Sequence, residues 1–167
     1  MWNEDDLVVH ESLGVCRVTE IQKKNRPPRD YYVLAPLYDK NSILYVPVDS
    51  QQMPLRPVMS QNEALSLIEQ IPDLEDLKFV SLSDEKLQAA TILSSGDQLR
   101  LAQLAKTMYH LQLSRSRSKS KNTFSTDRGI LRQAERLLFG ELAIALDLPI
   151  DQVPEFISQQ LNTAASA

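Results

Sequence analysis

The residues able to support catalysis are few in this sequence. The only two histidines, His10 and His110, lie far apart, and Cys16 is the only cysteine, so no Cys/His zinc site can be assembled. The four glycines match neither a P-loop nor a dinucleotide-binding turn. A hydrolase or transferase that uses a pair of carboxylates remains compatible with the composition, but no spacing points to such a pair. We therefore expect a protein that is not an enzyme and that needs neither a metal nor another cofactor.

Length and composition indicate an ordinary folded chain. The 167 residues are enough for one domain or two small ones, and 43% of them are hydrophobic, so a packed core is expected. No apolar run reaches the roughly 18 residues that a membrane span needs. The first six residues are Met-Trp-Asn-Glu-Asp-Asp, which is too acidic for a signal or transit peptide. We expect a cytoplasmic protein with no membrane partner and no small-molecule substrate.

The charges are unevenly distributed along the chain. The net charge is −4, yet residues 95–140 carry nine basic and three acidic side chains, between two acidic segments. Because salt confines electrostatic attraction to about 8–10 Å, such a local basic region can bind phosphate on an acidic protein. The alternative is a solvated surface whose basic side chains lie near helix ends and interact with the helix dipole.

The first sixty residues predict a small β domain. Short β-branched and aromatic segments alternate there with turn residues, which is typical of an antiparallel barrel or a strongly bent sheet. Residues 23–29 are predicted to form a loop, because they are polar and contain two prolines. Residues 39–41 are predicted to form a hairpin turn. The five predicted strands are residues 7–9, 15–21, 31–37, 42–48 and 55–56.

Helical periodicity fills the rest of the chain. Helices are predicted at 61–71 with Ser60 as N-cap, at 84–93 with Ser83 as N-cap, and after Asp97. A polar, basic connector spans 114–121, a fourth helix begins at Ser125 or Thr126 and ends before Pro149, and a fifth covers about 151–161. The sequence thus predicts an α+β protein, with a β domain at 1–59 and a domain of about five helices at 60–167.

Several short motifs follow one another in a particular order. They are Asp-Leu-Val-Val-His at 6–10, Leu-Gly-Val at 13–15, Asp-Tyr-Tyr-Val-Leu at 30–34, Leu-Tyr-Val-Pro-Val at 44–48, Leu-Arg-Pro-Val at 55–58, Leu-Ser-Ser-Gly-Asp at 93–97, Ala-Glu-Arg-Leu-Leu at 134–138 and Gly-Glu-Leu-Ala at 140–143. In this order they resemble the CarD/CdnL family of bacterial RNA-polymerase-binding transcription regulators, whose N-terminal domain is shared with transcription-repair coupling factor. The resemblance covers roughly residues 5 to 147.

The resemblance implies a Tudor-like β domain that docks on the β subunit of RNA polymerase. The family contact just before Val-Pro in the fourth strand is Tyr45 here, and Lys23 at the end of the second strand is a weaker candidate. Ile43 shares a strand face with Tyr45, whereas Leu44 and Val46 share the other, which we expect to be the core. We therefore predict Lys23, Ile43 and Tyr45 as polymerase contacts. The alternative is that Tyr45 is ordinary strand surface or core.

The resemblance also implies a promoter-DNA contact by the helical domain, where the family uses a Trp wedge flanked by basic residues. Counting back from Ser-Gly-Asp places Leu82 at the wedge position, and the flanking cluster is reduced to Lys86. Basic residues further along the chain can supply phosphate contacts without reading sequence. The predicted DNA-binding residues are Leu82, Lys86, Arg115, Arg117, Lys119, Lys121, Arg128 and Arg132. Leu82 could instead staple its helix to the core, and the Ser/Arg connector could be a flexible, phosphorylatable linker.

These observations favour a non-enzymatic transcription regulator that binds RNA polymerase and changes the stability of the open promoter complex. The alternative is a polymerase-bound adaptor whose helical domain binds another protein, because the wedge Trp is absent and the second helix is acidic. Equal affinity for polymerase alone and for polymerase on promoter DNA would favour the adaptor.

Overall fold

The computed structural model describes residues 1–25, 28–52, 54–115 and 121–166, with side chains given outside 121–125 and 164–166. The chain divides into two compact units, Met1–Val58 and Met59–Ala167. Five strands in the first unit are followed by five α-helices in the second, within the described residues. The predicted α+β fold class is therefore confirmed.

A single antiparallel sheet makes up the N-terminal unit. The strand order is β4-β3-β2-β1-β5, so β4 and β5 are the edges. Each strand follows the one before it in space except β5, which returns to pair with β1. The strands are β1 Leu7–His10, β2 Gly14–Asn25, β3 Pro28–Pro36, β4 Leu44–Pro47 and β5 Arg56–Pro57.

The β2–β3 hairpin is longer than predicted. The expected loop at 23–29 is wrong, because β2 continues to Asn25 and β3 begins at Pro28. Lys24 lies directly opposite Arg29 in the ladder. Proline is tolerated as the first residue of a strand, and polar side chains suit a hairpin that projects beyond its core. The ladder therefore places side chains on defined faces of the sheet in a region that composition alone assigns to a loop.

A β-bulge at Thr19 bends the long strand β2. The register with β3 shifts between Val18 and Glu20, and the Thr19 hydroxyl donates a hydrogen bond of 3.1 Å to the carbonyl of Val33. The hydroxyl thus supplies a hydrogen bond at the point where the bulge disrupts the ladder.

The core of the N-terminal unit lies on one face of the sheet. Its buried side chains are Val8, Cys16, Val18, Tyr32, Leu34 and Val46. Leu44 packs at the border of this cluster and Val46 is 1% exposed, which confirms the predicted inner face of β4. Cys16 is fully buried, and this burial raises the pKa of its thiol to about 12.

His10 closes the turn between β1 and β2. Its ring is buried, and Nδ1 accepts hydrogen bonds from the backbone N–H groups of Ser12 at 3.2 Å and Leu13 at 3.3 Å. Gly14 follows with a φ of 75°, a conformation that costs glycine nothing. The buried ring therefore packs in the N-terminal unit and also organises the turn.

Helices with apolar inner faces build the C-terminal unit. They are α1 Gln61–Gln70, α2 Leu82–Leu93, α3 Gln98–Arg115, α4 Lys121–Leu146 and α5 Val153–Ser166, with short 3-10 helices at Ile71–Asp73 and Ile150–Gln152. The longest two, α3 and α4, pack along each other, and their largest buried side chains include Leu101, Leu104, Met108, Leu138 and Leu142. No helix in the described parts of the chain is long and apolar enough to cross a membrane.

The helix starts agree only partly with the prediction. Ser60 forms a complete capping box, and the Asp97 carboxylate accepts from two N–H groups of the first turn of α3, so both predicted caps are confirmed. The prediction of Ser83 is wrong, because α2 begins earlier and Ser81 is its N-cap. The predicted start of α4 at 125 or 126 is also wrong, since the helix begins at Lys121. Ser and Thr are frequent at caps, but tertiary contacts decide which candidate is used.

Candidate interaction surface

The edge strand β4 presents an exposed outer face. Among the described strands only β3 pairs with β4, so the backbone on the other side of β4 is open to a partner. Ile43, just before β4, is 65% exposed, and Tyr45 within it is 49% exposed. An edge strand can take up a partner strand through its backbone, while side chains at alternate positions provide specificity. The structure therefore brings two of the predicted polymerase contacts together on one accessible face.

A lysine and a second tyrosine complete this face. Tyr45 pairs with Val33 of β3, and Tyr31, two residues before Val33 in the same strand, lies on the same side of the sheet. The Lys24 ammonium lies 4.9 Å from the centre of the Tyr31 ring and 5.7 Å from that of Tyr45. Both distances fall within the range of cation–π attraction. We call Lys24, Tyr31, Ile43 and Tyr45 the outer-face patch.

Lys23 lies on the opposite side of the sheet from this patch. It pairs with Asp30, whereas Lys24 pairs with Arg29, and neighbouring residues of a strand point to opposite faces. Lys23, the predicted contact, therefore does not lie beside Tyr45. Lys24 does, and it is absent from the predicted contacts. The β2–β3 register decides which of the two lysines faces Tyr45, and a segment predicted to be a loop has no register.

An ion pair lies beside the outer-face patch. Arg29 Nε donates a hydrogen bond of 2.9 Å to Asp49 Oδ1. This hydrogen bond raises the pKa of Arg29 and lowers that of Asp49. Both groups are exposed, so the pair contributes little to stability. Arg29 also interacts with the Tyr31 side chain, which contributes to its raised pKa, so both Lys24 and Arg29 border the outer-face patch.

An exposed apolar group lies around the start of α2. Leu82, the first residue of this helix, is 46% exposed, and Val80 and Leu87 are 92% and 68% exposed. The second half of α2 packs into the helical core through Ala89, Ile92 and Leu93. Leu82 is thus accessible to a partner, as the wedge prediction requires.

The predicted DNA-binding cations divide into two groups. Lys86 on α2 and Arg128 and Arg132 on α4 are exposed, and the two arginines lie one turn apart. They can reach phosphate without breaking a contact that the structure records. Arg117 and Lys119 lie outside the described residues, as does the side chain of Lys121.

Arg115, in contrast, is engaged inside the helical unit. Its Nη1 donates to both carboxylate oxygens of Glu85 at 3.1 Å and to Asp127 Oδ2 at 3.2 Å. Burial opposes its charge, but the two carboxylates outweigh that effect and raise the pKa of the guanidinium. Glu85 and Asp127 are 2% and 3% exposed. This arrangement gives Arg115 a different environment from the other predicted DNA contacts.

No metal centre is evident in the parts of the chain that the structure describes. No group of three or more His, Cys, Asp or Glu side chains there could hold a metal ion. His110 instead pairs with Asp76, with Nδ1 and Oδ2 2.8 Å apart on the surface.

Comparison with protein families identifies the N-terminal unit. Residues 2–59 match the family model described as the CarD-like/TRCF RID domain. No curated protein matches the sequence. The match covers all five described strands and ends where the helical unit begins, so the resemblance of the helical half to the same family stays a prediction.

Proposed function

We propose that this chain is a transcription regulator that binds the β subunit of RNA polymerase through its outer-face patch. Residues 2–59 match the CarD-like/TRCF RID domain, a non-catalytic module whose family interacts with that subunit. The exposure of Ile43 and Tyr45 on an edge strand carries the proposal. Tyrosine suits such a contact, because its ring buries apolar area and its hydroxyl stays hydrogen-bonded. Polymerase is cytoplasmic in bacteria, so the same location is proposed for this chain.

Binding of the full chain to an isolated β-subunit lobe fragment tests this proposal. Measured at about 0.15 M salt, binding by a buried contact survives, because screening weakens surface attraction more than desolvated contacts. Tyr45→Ala and Ile43→Ala should each weaken binding at least tenfold, as central interface side chains do. Lys40→Ala is the control, because it removes an exposed side chain from the neighbouring turn, whereas the nearby Tyr38 is half-buried. Wild-type protein that does not bind the fragment would refute the proposal.

For the helical unit we propose contact with promoter DNA and a change in the stability of the open complex. Support comes from the exposed Arg128 and Arg132 in the basic part of the chain, and from the exposed Lys86 and Leu82 on α2. Basic side chains would hold phosphates, while a leucine can occupy a distorted base step. The lifetime of polymerase–promoter complexes after addition of a competitor should change with the wild-type chain and much less with Leu82→Ala.

A second candidate is a protein partner for the helical unit. The exposure of Val80, Leu82 and Leu87 in and just before α2 favours it, because a partner protein would remove these large apolar side chains from water. The two candidates give different results when polymerase is tested with and without promoter DNA. Affinity that increases on the DNA complex supports the DNA contact, and equal affinity supports the adaptor.

A further inference from the structure

Glu85, Arg115 and Asp127 form a compact ionic cluster that joins three helices. Glu85 lies in the first turns of α2, Arg115 is the last residue of α3, and Asp127 lies near the start of α4. A single nitrogen of Arg115, Nη1, lies 3.1–3.2 Å from three carboxylate oxygens. The cluster therefore fixes the end of α3 to two other helices through one guanidinium group.

Donors and acceptors in this cluster do not balance. Nη1 carries two hydrogens, yet three oxygens of the two carboxylates lie within hydrogen-bond distance of it. Two carboxylates and one guanidinium also leave one negative charge in excess among the described side chains. Both carboxylates are almost completely buried, where an uncompensated charge is strongly unfavourable.

A proton on Glu85 would correct both imbalances. It removes the excess charge, and it supplies an O–H donor that can reach the neighbouring carboxylate. Burial raises the pKa of Glu85, the Arg115 hydrogen bond opposes that shift, and Asp127 reinforces it. The charged groups that face Glu85 among the described residues are Arg115 from α3 and Asp127 from α4, while Lys86 beside it is exposed.

We infer that Glu85, Arg115 and Asp127 form a proton-binding latch, which takes up one proton when the helical unit folds and holds α2 and α4 to the end of α3 less firmly once that proton is lost. The folded state binds more protons than the unfolded chain between the ordinary pKa of glutamate and the raised pKa of Glu85. Stability is therefore greatest at the acidic end of this window and declines as the pH rises through it. The latch does not depend on polymerase or DNA binding.

Unfolding of the full chain at several pH values tests the latch. Denaturant curves followed by far-ultraviolet circular dichroism report on the helical unit from about pH 5 to about pH 8.5. One linked proton changes the folding equilibrium constant by up to about tenfold per pH unit. Glu85→Gln mimics the protonated carboxyl, so it should match wild type near pH 5 and become the more stable form at higher pH. Glu69→Gln, an exposed change of the same kind on α1, should leave the pH dependence unaltered.

A second pair of variants distinguishes the latch from an ordinary ion pair. Asp127→Asn also balances the charges, so it should flatten the pH dependence as Glu85→Gln does. The double variant leaves Arg115 without a carboxylate and should be less stable than either single variant at every pH. Parallel pH curves for wild type and both single variants would overturn the inference.

Wild-type protein provides a test that no folding defect can confuse. Nuclear magnetic resonance titration of the side-chain carboxyl carbons gives the midpoint of each glutamate directly. The midpoint of Glu85 should lie above that of Glu69. A Glu85 midpoint equal to or below that of Glu69 would mean that no proton is held in the folded cluster, and the latch would be excluded.

Discussion

The Lys24 ammonium lies 5.7 Å from the centre of the Tyr45 ring, on the outer face of the sheet. The adjacent Lys23 points to the other face, in register with Asp30. The two lysines have the same charge, the same strand and neighbouring positions, so they form a matched pair. They differ mainly in whether they reach the outer-face patch.

Lys24→Met is therefore expected to weaken binding to the polymerase lobe fragment, because it removes the cation from the patch while keeping an apolar stem. Lys23→Met should change the affinity less, since its side chain lies on the opposite face. Truncation of an interface side chain that contributes to binding costs about 1 kcal/mol or more, which is at least roughly fivefold in Kd. Titration calorimetry with both variants measures this difference. A larger loss for Lys23→Met would instead return the contact to the residue that the sequence alone suggests.

The contrast between these lysines shows how far the sequence can be interpreted. Strand existence, the inner face of β4 and the Ser60 cap all follow from local patterns, and the structure confirms them. The position of Lys24 does not, because it depends on the register of a hairpin that its prolines disguise as a loop. The environment of Arg115 depends on carboxylates 30 and 12 residues away, which no local pattern brings together.

His10 makes the stability of the N-terminal unit sensitive to acid. Burial lowers its pKa below the ordinary value of 6.5, with Glu11 opposing the shift, so the unfolded chain binds more protons there. Stability should therefore be fully present above about pH 6.5 and decline as the pH falls below it. Protonation would also turn Nδ1 into a donor facing the N–H groups of Ser12 and Leu13.

Urea unfolding followed by the fluorescence of Trp2, the only tryptophan, measures this effect in the N-terminal unit. His10→Asn keeps a side-chain acceptor near the position of Nδ1 but does not titrate. The variant should be less stable than wild type above pH 7, because it loses packing, and its stability should change less between about pH 5 and about pH 6.5. An unchanged pH response in His10→Asn would assign the acid sensitivity to another group.

The N-cap of α2 provides a prediction about stability alone. Ser81 Oγ accepts a hydrogen bond of 3.1 Å from the N–H of Asp84, whereas Ser83 lies exposed within the first turn. Ser81→Ala should destabilise the helical unit by about 1 kcal/mol, and Ser83→Ala by less than about 0.5 kcal/mol. Chemical denaturation followed by circular dichroism distinguishes them. A larger loss for Ser83→Ala than for Ser81→Ala would mean that Ser83 caps the helix.

The exposed arginines of α4 predict a specific salt dependence of DNA binding. A phosphate contact contributes about 0.9 to the slope of log K against log salt for duplex DNA, because it releases condensed counterions. Arg128→Gln and Arg132→Gln should therefore each lower this slope by about 0.9, with little dependence on DNA sequence.

Arg100→Gln removes the same charge from an exposed position on α3 and provides the control. Fluorescence anisotropy with a labelled duplex, at salt concentrations from about 50 to about 200 mM, gives the slope for each variant. If Arg100→Gln lowers the slope as much as the α4 variants, the attraction is a general effect of charge. If only the α4 variants lower it, Arg128 and Arg132 contact phosphate directly, and the helical unit approaches DNA through α4.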